Sequence, residues 1–152
     1  MTNLDNPWIH LTNYSLNKDN PEYVKSDSTD DENIGSKWTL GALLRHLKSK
    51  KIDTIKIMKN IEDIVIKTII SAEGSIAESV EKCVRHRGNC SEIFGFDILL
   101  DENLKAWLIE VNLSPSLATG SQLDFKIKSN LINDYLNLIG IQGINTTCMI
   151  QG

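Results

Sequence analysis

Long apolar runs are missing from this chain, and their absence removes one class at once. No stretch approaches the roughly 20 consecutive apolar residues of a membrane-crossing helix, so membrane insertion is not expected. The start, Met1 to His10, is polar and lacks a signal-like apolar core, which makes a cytoplasmic protein the expectation. Cysteine is scarce. Cys83, Cys90 and Cys148 cannot all pair within the chain, and reduced thiols are expected. Cys83, His86 and Cys90 do not follow a usual zinc spacing and have no evident fourth partner, so no zinc site is expected. Excess positive charge is missing too: a formal net charge of -4 argues against a general binder of nucleic acid or anionic lipid.

What is present suits a globular protein. The chain has 152 residues, 41% hydrophobic and 24% charged, enough for one domain or part of a larger one. Basic residues gather in two places, Arg45, His46, Lys48, Lys50 and Lys51, and again Lys82, Arg85, His86 and Arg87. Each cluster reads either as a solvated face or as a dock for an acidic protein tail. Asp19 to Gly35 is polar and acidic and reads as an exposed loop. Ser36 is placed to cap a helix reaching Lys51, with Leu40, Leu43, Leu44 and Leu47 at helical spacing. Asp53 is placed to cap a second, long helix. Its Ile57, Ile61, Ile64, Val65 and Thr68 share one side, Ile69, Ala72 and Ile76 extend the buried surface, and Gly74 is a candidate kink. Glu92 to Asn112 reads as two strands joined by a polar turn, Asp101 to Lys105. After a loop rich in Ser, Pro and Gly, Asp124 is placed to cap a last helix with Ile127, Leu131, Ile132, Tyr135 and Leu138 inward, and Gly140 ends it.

The hairpin carries the chemistry. If Asp101 and Ala106 close the turn as opposed residues, Phe96 faces Val111, Ile98 faces Ile109 and Leu100 faces Trp107. Side chains alternate along a strand, so these residues share one apolar face. The same register sets Asp97 opposite Glu110, with Asn112 two residues along on the same face. Opposed Cβ atoms lie about 4.5–5.5 Å apart, and like charges there repel. A cation removes that cost. Mg2+ takes oxygen ligands, often one or two carboxylates plus substrate phosphates, and the Asn112 amide oxygen adds a ligand without charge. Leu99 and Leu108 are expected on this face, as a floor for an adenine ring. The plain alternative is a pair of acids on the wet side of an antiparallel hairpin, and a one-residue slip would turn the set to the other face.

Ser91-Glu-Ile-Phe-Gly-Phe-Asp97-Ile-Leu-Leu, followed by Trp107-Leu-Ile-Glu110-Val-Asn112-Leu-Ser-Pro-Ser, resembles the signature of tubulin tyrosine ligase-like proteins. His10-Leu-Thr-Asn13-Tyr-Ser15 resembles a second signature of that family, and Lys37-Trp38, Lys67-Thr-Ile-Ile-Ser71 and Leu123-Asp-Phe-Lys-Ile-Lys128 also fit. The resemblance covers residues 8–141 and is strongest to the glutamate-adding branch. It implies an α+β fold, the C-terminal portion of an ATP-grasp catalytic domain over residues 1–143, with 144–152 as a tail. It implies Asp97, Glu110 and Asn112 as magnesium ligands, Glu110 and Lys37 as catalytic residues, Thr12 and Asn13 as ATP contacts, and Tyr14, Ser15 and Lys37 as the holders of incoming glutamate. Read singly, these polar residues are equally turn residues, a packed aromatic and a solvated lysine.

The implied reaction is ATP-dependent addition of glutamate to glutamate side chains of tubulin through an acyl phosphate, with Mg2+ as cofactor and ATP as co-substrate. The implied partners are tubulin C-terminal tails and free glutamate, without nucleic acid, on the cytoskeleton, at a cilium or basal body. Ser91 and Ala106 depart from the family pattern, which favours a bulky residue and a proline there. The family's catalytic domain also has more chain before the His-Leu-Thr-Asn motif, with lysines for the phosphates. Here nine residues precede His10, so the chain reads as a fragment. Two other readings stand beside the ligase: a non-catalytic remnant that binds tubulin through the basic clusters, and a sister ligase adding glycine or tyrosine.

Overall fold

The computed structural model describes residues 6–11, 13–24, 35–86, 88 and 90–141, and the side chains of Ile9 and Ser15 fall outside that description. Thr12, Arg87, Cys148 and most of the Asp19 to Gly35 loop are likewise outside the described residues. The elements are α1 (Pro7–His10), α2 (Tyr14–Asn17), α3 (Leu40–Ser49), α4 (Thr54–Cys83), β1 (Phe94–Leu100), β2 (Ala106–Leu113) and α5 (Gln122–Leu138). Helices and a two-stranded antiparallel sheet make the arrangement α+β, as expected.

Each long helix begins on a side-chain cap that satisfies otherwise orphaned N–H groups. Asp53 caps α4 as expected, accepting from Ile55 N and Lys56 N at 3.1 Å. The other two starts differ from the sequence reading. Thr39, not Ser36, caps α3, accepting from Ala42 N at 3.0 Å. Ser36 Oγ accepts instead from Val24 N at 3.2 Å, and Lys37 and Trp38 lie before the helix. Ser121, not Asp124, caps α5, accepting from Asp124 N at 3.1 Å. Asp124 lies in the first turn and reaches back to Gly120 N at 3.1 Å, the reciprocal half of a capping box shifted by one residue. Gly74 does not interrupt α4, which runs 30 residues. Ion pairs one turn apart, Lys67–Asp63 and Lys82–Glu78 at 2.6 Å, support the helix on both sides of it; each is worth about 0.2–0.5 kcal/mol.

The hairpin register agrees with expectation at its open end and departs from it at the turn. Phe94 pairs with Leu113, Gly95 with Asn112, Phe96 with Val111 and Asp97 with Glu110. The register then shifts, and Ile98 pairs with Leu108, Leu99 with Trp107 and Leu100 with Ala106. The expected pairs Ile98–Ile109 and Leu100–Trp107 are therefore incorrect. The cause is the turn. Leu104 N donates to Asp101 O (2.8 Å), Asp101 N to Lys105 O (3.0 Å), and Leu104 has φ 62°. That is a type I turn followed by a left-handed residue, a loop one residue shorter than assumed. Asp101 holds it by accepting from Asn103 N, Lys105 N and Trp107 Nε1, each at 2.9 Å. The residue the turn gives up reappears as a bulge at Ile109, which restores the Asp97–Glu110 pairing.

Burial is thin. Among the described residues Ala42, Ile57, Ala106 and Leu123 are the buried apolar side chains. The hairpin turn lies beside the start of α4, where Asn103, Leu104 and Lys105 share a cleft with Ile52, Lys56, Ile57 and Asn60. Ile61, Ile64, Val65 and Thr68 are half-buried as expected, but Ile69, Ala72 and Ile76 are exposed. On α5, Ile132 and Tyr135 are half-buried, whereas Ile127 and Leu131 are exposed and Leu138 is 85% exposed. The apolar stripes of both helices extend past the elements that cover them.

Two helices close in the same way with different residues. Lys51 N bonds to Lys48 O (2.9 Å) and Ile52 N to Leu47 O (3.1 Å), while Gly140 N bonds to Asn137 O (3.2 Å) and Ile141 N to Leu136 O (3.1 Å). Both are Schellman closures, with the left-handed position held by Lys51 (φ 61°) in one and Gly140 (φ 77°) in the other. A side chain there strains the backbone, an effect partly offset by the extra freedom of glycine in the unfolded chain. Lys51→Gly is expected to raise stability to chemical denaturation by about 0.5–1 kcal/mol, and Gly140→Ala to lower it by a similar amount.

Candidate active site

Strand alternation decides which groups meet. Gly95, Asp97 and Leu99 share one face of β1, and Glu110 and Asn112 share that face of β2 because Asp97 opposes Glu110 and Gly95 opposes Asn112. Asn112 Nδ2 donates to Glu110 Oε1 at 3.1 Å, which leaves the amide oxygen available as an acceptor. Burial pushes the Asp97 carboxyl above its ordinary value, and the charge and hydrogen bond of Glu110 push it further the same way. The three residues proposed as metal ligands are thus brought together, and the two carboxylates among them are held closer than like charges favour. Among the described residues no group of three or more His, Cys, Asp or Glu side chains could hold a metal. A donor set of two carboxylates and an amide suits a cation that completes its shell with phosphate oxygens and water.

Gly95 shapes the same corner. A Cβ there would lie 3.0 Å from Pro115 Cβ and 3.6 Å from Asn112 Cβ, so the loop after β2 folds against bare backbone. A glycine inside a strand is the signal that could have marked it. Ser114, with φ 50°, turns the chain out of β2, and its Oγ donates to Glu92 Oε1 at 3.3 Å.

The carboxylates open into a cleft of about 640 Å³ lined by Asn13, Tyr14, Phe96, Asp97, Ile98, Leu99, Ile109 and Glu110. Asn13 and Tyr14, far apart from the hairpin in sequence, are therefore its neighbours in space. Asn13 sits at the start of α2 and spends no side-chain hydrogen bond on capping it. The expected floor of Leu99 and Leu108 is half right. Leu108 opposes Ile98 on the other face because of the bulge, and Ile109, 62% exposed, lines the cleft with Leu99 instead.

Tyr14 also walls a second cleft of about 170 Å³, with Trp8, Leu11, Asn17, Tyr23, Ser36 and Lys37. Lys37 lines this cleft and not the one holding Asp97 and Glu110. Its Nζ lies 4.2 Å from the centre of the Tyr14 ring and 3.1 and 3.3 Å from the Asp124 carboxylate oxygens. Burial alone would raise the Asp124 carboxyl, but the hydrogen bond and charge of Lys37, with Gly120 N–H and Ser121, outweigh it and hold Asp124 below its ordinary value. Sequence reading missed Asp124 as a site neighbour, since nothing local links it to a lysine 87 residues away. Thr12 and the side chain of Ser15 lie outside the described residues.

The described residues of the basic clusters line neither cleft. Lys48, Lys50, Lys51, Lys82, Arg85 and His86 are exposed, while His46 packs edge-on against Trp38 at 5.4 Å. No described helix is long and apolar enough to cross a membrane.

Residues 1–148 match the tubulin-tyrosine ligase family. The chain belongs to that family. It is 49% identical over 138 residues to tubulin polyglutamylase TTLL5 of Homo sapiens, covering 91% of this chain and 11% of that protein. Tubulin monoglutamylase TTLL4 of Mus musculus is 49% identical over 141 residues, 92% of this chain and 12% of that protein. Tubulin polyglutamylase ttll-5 of Caenorhabditis elegans is 46% identical over 133 residues, 88% of this chain and 18% of that protein. The chain spans a minor share of the length of each of these tubulin-tyrosine ligase family relatives.

Two variants check this electrostatic picture. Asp97→Asn removes one of two opposed charges and is expected to stabilise the metal-free chain by roughly 0.2–1 kcal/mol. The same change is expected to abolish any rise in melting temperature that Mg-ATP produces in the wild type, which thermal melts with and without Mg-ATP would read. The Lys37–Asp124 pair sets a pH dependence. A carboxyl held low when folded contributes stability above its ordinary value of 3.8 and loses it as the pH falls through the lowered folded value. Lys37→Met is therefore expected to cost on the order of 1 kcal/mol at neutral pH, with the difference from wild type vanishing in strong acid.

Proposed function

We propose that this chain carries the metal-binding and amino-acid-binding part of an ATP-dependent ligase that adds glutamate to glutamate side chains of tubulin. The observation that carries the reading is the opposed pair Asp97 and Glu110, with Asn112 beside them, in a cleft that also takes in Asn13 and Tyr14. The names of the relatives, tubulin polyglutamylase and tubulin monoglutamylase, support the choice of tubulin and glutamate.

Asp97, Glu110 and the Asn112 amide oxygen would hold Mg2+, relieving the repulsion that their placement creates. When bound, the ion neutralises phosphate oxygens of ATP and orients the γ-phosphate for transfer. Asn13 and Thr12 contact the nucleotide, and Leu99 and Ile109 give its base an apolar surface. Lys37 takes a carboxylate of free glutamate, for which a compact ammonium is a fitting partner, and Tyr14 and Ser15 complete that side. A carboxylate of the acceptor tail attacks the γ-phosphate and releases ADP, and the resulting acyl phosphate is attacked by the amine of free glutamate. Phosphate leaves and an isopeptide bond forms. Water must be kept from the acyl phosphate or it hydrolyses. Residues 1–143 serve this catalytic unit, with 144–152 as a tail. The exposed Lys48, Lys50 and Lys51 offer an acidic tubulin tail a complementary face, and a ligase acting on tubulin would work on the cytoskeleton, that of a cilium or basal body included.

Glutamate incorporation into tubulin, assayed with and without Mg-ATP, tests the reading. Incorporation should require Mg-ATP and fall at least about a hundredfold in Glu110→Gln. Tubulin binding that ignores nucleotide, with no incorporation, would instead identify a non-catalytic remnant. Preferential incorporation of glycine or tyrosine would identify a sister ligase.

A further inference from the structure

The reading above gives Lys37 to the substrate carboxylate, yet Lys37 already has a partner. We propose that Asp124, at the start of α5, is the positioning residue that aims the Lys37 ammonium at the incoming amino acid. The inference rests on the proposed function and adds a residue to it.

Lysine alone is a poor positioning device. Its four-carbon stem leaves the ammonium many placements of similar energy. Here Nζ is held from two sides. Both carboxylate oxygens of Asp124 lie within 3.3 Å, and the Tyr14 ring lies beneath it at 4.2 Å. The pair is sheltered, with side-chain exposures of 33% for Lys37 and 18% for Asp124. An ammonium has three donors, and the Asp124 carboxylate and the Tyr14 ring hold them at the wall of the small cleft that Tyr14, Tyr23 and Lys37 line.

Asp124 is itself fixed. Gly120 N donates to its Oδ2, and the Ser121 cap sets the first turn of α5 that carries it. A carboxylate is favoured there by the helix dipole. Gly120 makes the close seating possible, because a Cβ would lie 3.4 Å from Tyr14 Oη and 3.5 Å from Asp124 Oδ2. Backbone at 120, carboxylate at 124, ammonium at 37 and ring at 14 form one chain of contacts from α5 to the wall of the larger cleft.

Two effects oppose each other when Asp124 loses its charge. The lysine becomes a stronger attractor for any anion, and it also loses its aim. Water at the mouth of the cleft screens charge, whereas nothing screens a misplaced donor, so aim decides. Ordering the lysine would then fall to substrate binding, which raises KM and leaves kcat nearly unchanged.

The test is the tubulin incorporation assay at saturating Mg-ATP with glutamate varied. Asp124→Asn is expected to raise KM for glutamate about tenfold with kcat changed by less than about twofold. Asp124→Glu, which keeps the charge at a position from which glutamate can also reach back, should recover most of that loss. Asp53→Ala removes the cap of α4, a helix that carries neither member of the pair, and should lower the melting temperature while leaving KM alone. An active wild type whose KM is unchanged or lowered by Asp124→Asn, or raised equally by Asp53→Ala, overturns the role of Asp124 alone. A wild-type chain that incorporates no glutamate overturns the functional reading and this role with it.

Discussion

Repulsion between Asp97 and Glu110 is the constraint around which the site is built. Strand pairing forces these side chains to face each other, and the sheet supplies no cation of its own to separate them. Folding normally avoids such an arrangement, since like charges directly opposed on a strand pair are destabilising. Burial raises the Asp97 carboxyl further. Asn112 relieves the strain only in part, giving one N–H to Glu110. The placement is intelligible if a divalent ion completes it, and the amide is the donor type that adds an oxygen ligand without adding to the repulsion.

The bulge at Ile109 reconciles two local demands. Asp101 makes a tight turn with three hydrogen bonds to its own side chain, and that turn is one residue too short to keep Asp97 and Glu110 aligned. Extra length in β2 corrects the alignment and rotates the strand between Leu108 and Glu110. It also exchanges which apolar residue meets the cleft, Ile109 for Leu108. Bulges recur beside functional sites because they re-aim a side chain while leaving the ladder on either side intact.

What could be read in the sequence was what depends on local periodicity. The strand alternation around Asp97 and Glu110, the Asp53 cap and the Gly140 stop were all legible, because each is settled within a few residues. Thr39 displaced Ser36 as a cap, and Ser121 displaced Asp124, because several capping residues stand close together and tertiary contacts choose among them. Ser36 is recruited by Val24 and Asp124 by Lys37. The outward stretches of α4 and α5 were misjudged for a related reason: an apolar stripe shows which side of a helix seeks cover, not how far along the cover reaches. The Lys37–Asp124 pair was invisible, since its members are joined only by the fold.

The two halves of the candidate site are mounted differently, and the difference bears on how each works. Asp97, Glu110 and Asn112 stand on paired strands, where backbone hydrogen bonds fix the spacing and short side chains have little freedom. Asn13 and Tyr14 stand at the start of a four-residue helix and Lys37 on an irregular segment, which by themselves set no such precision. Precision on that side comes from the tether to α5, through Asp124 and Gly120. A rigid mount suits a metal, whose ligands must keep their geometry. A tethered mount suits a small flexible amino acid that has to enter and be gripped. Through Tyr14, which lines both clefts, the position of the tethered side is transmitted to the wall facing the carboxylates, so α5 contributes to a site in which none of its own residues lines the larger cleft.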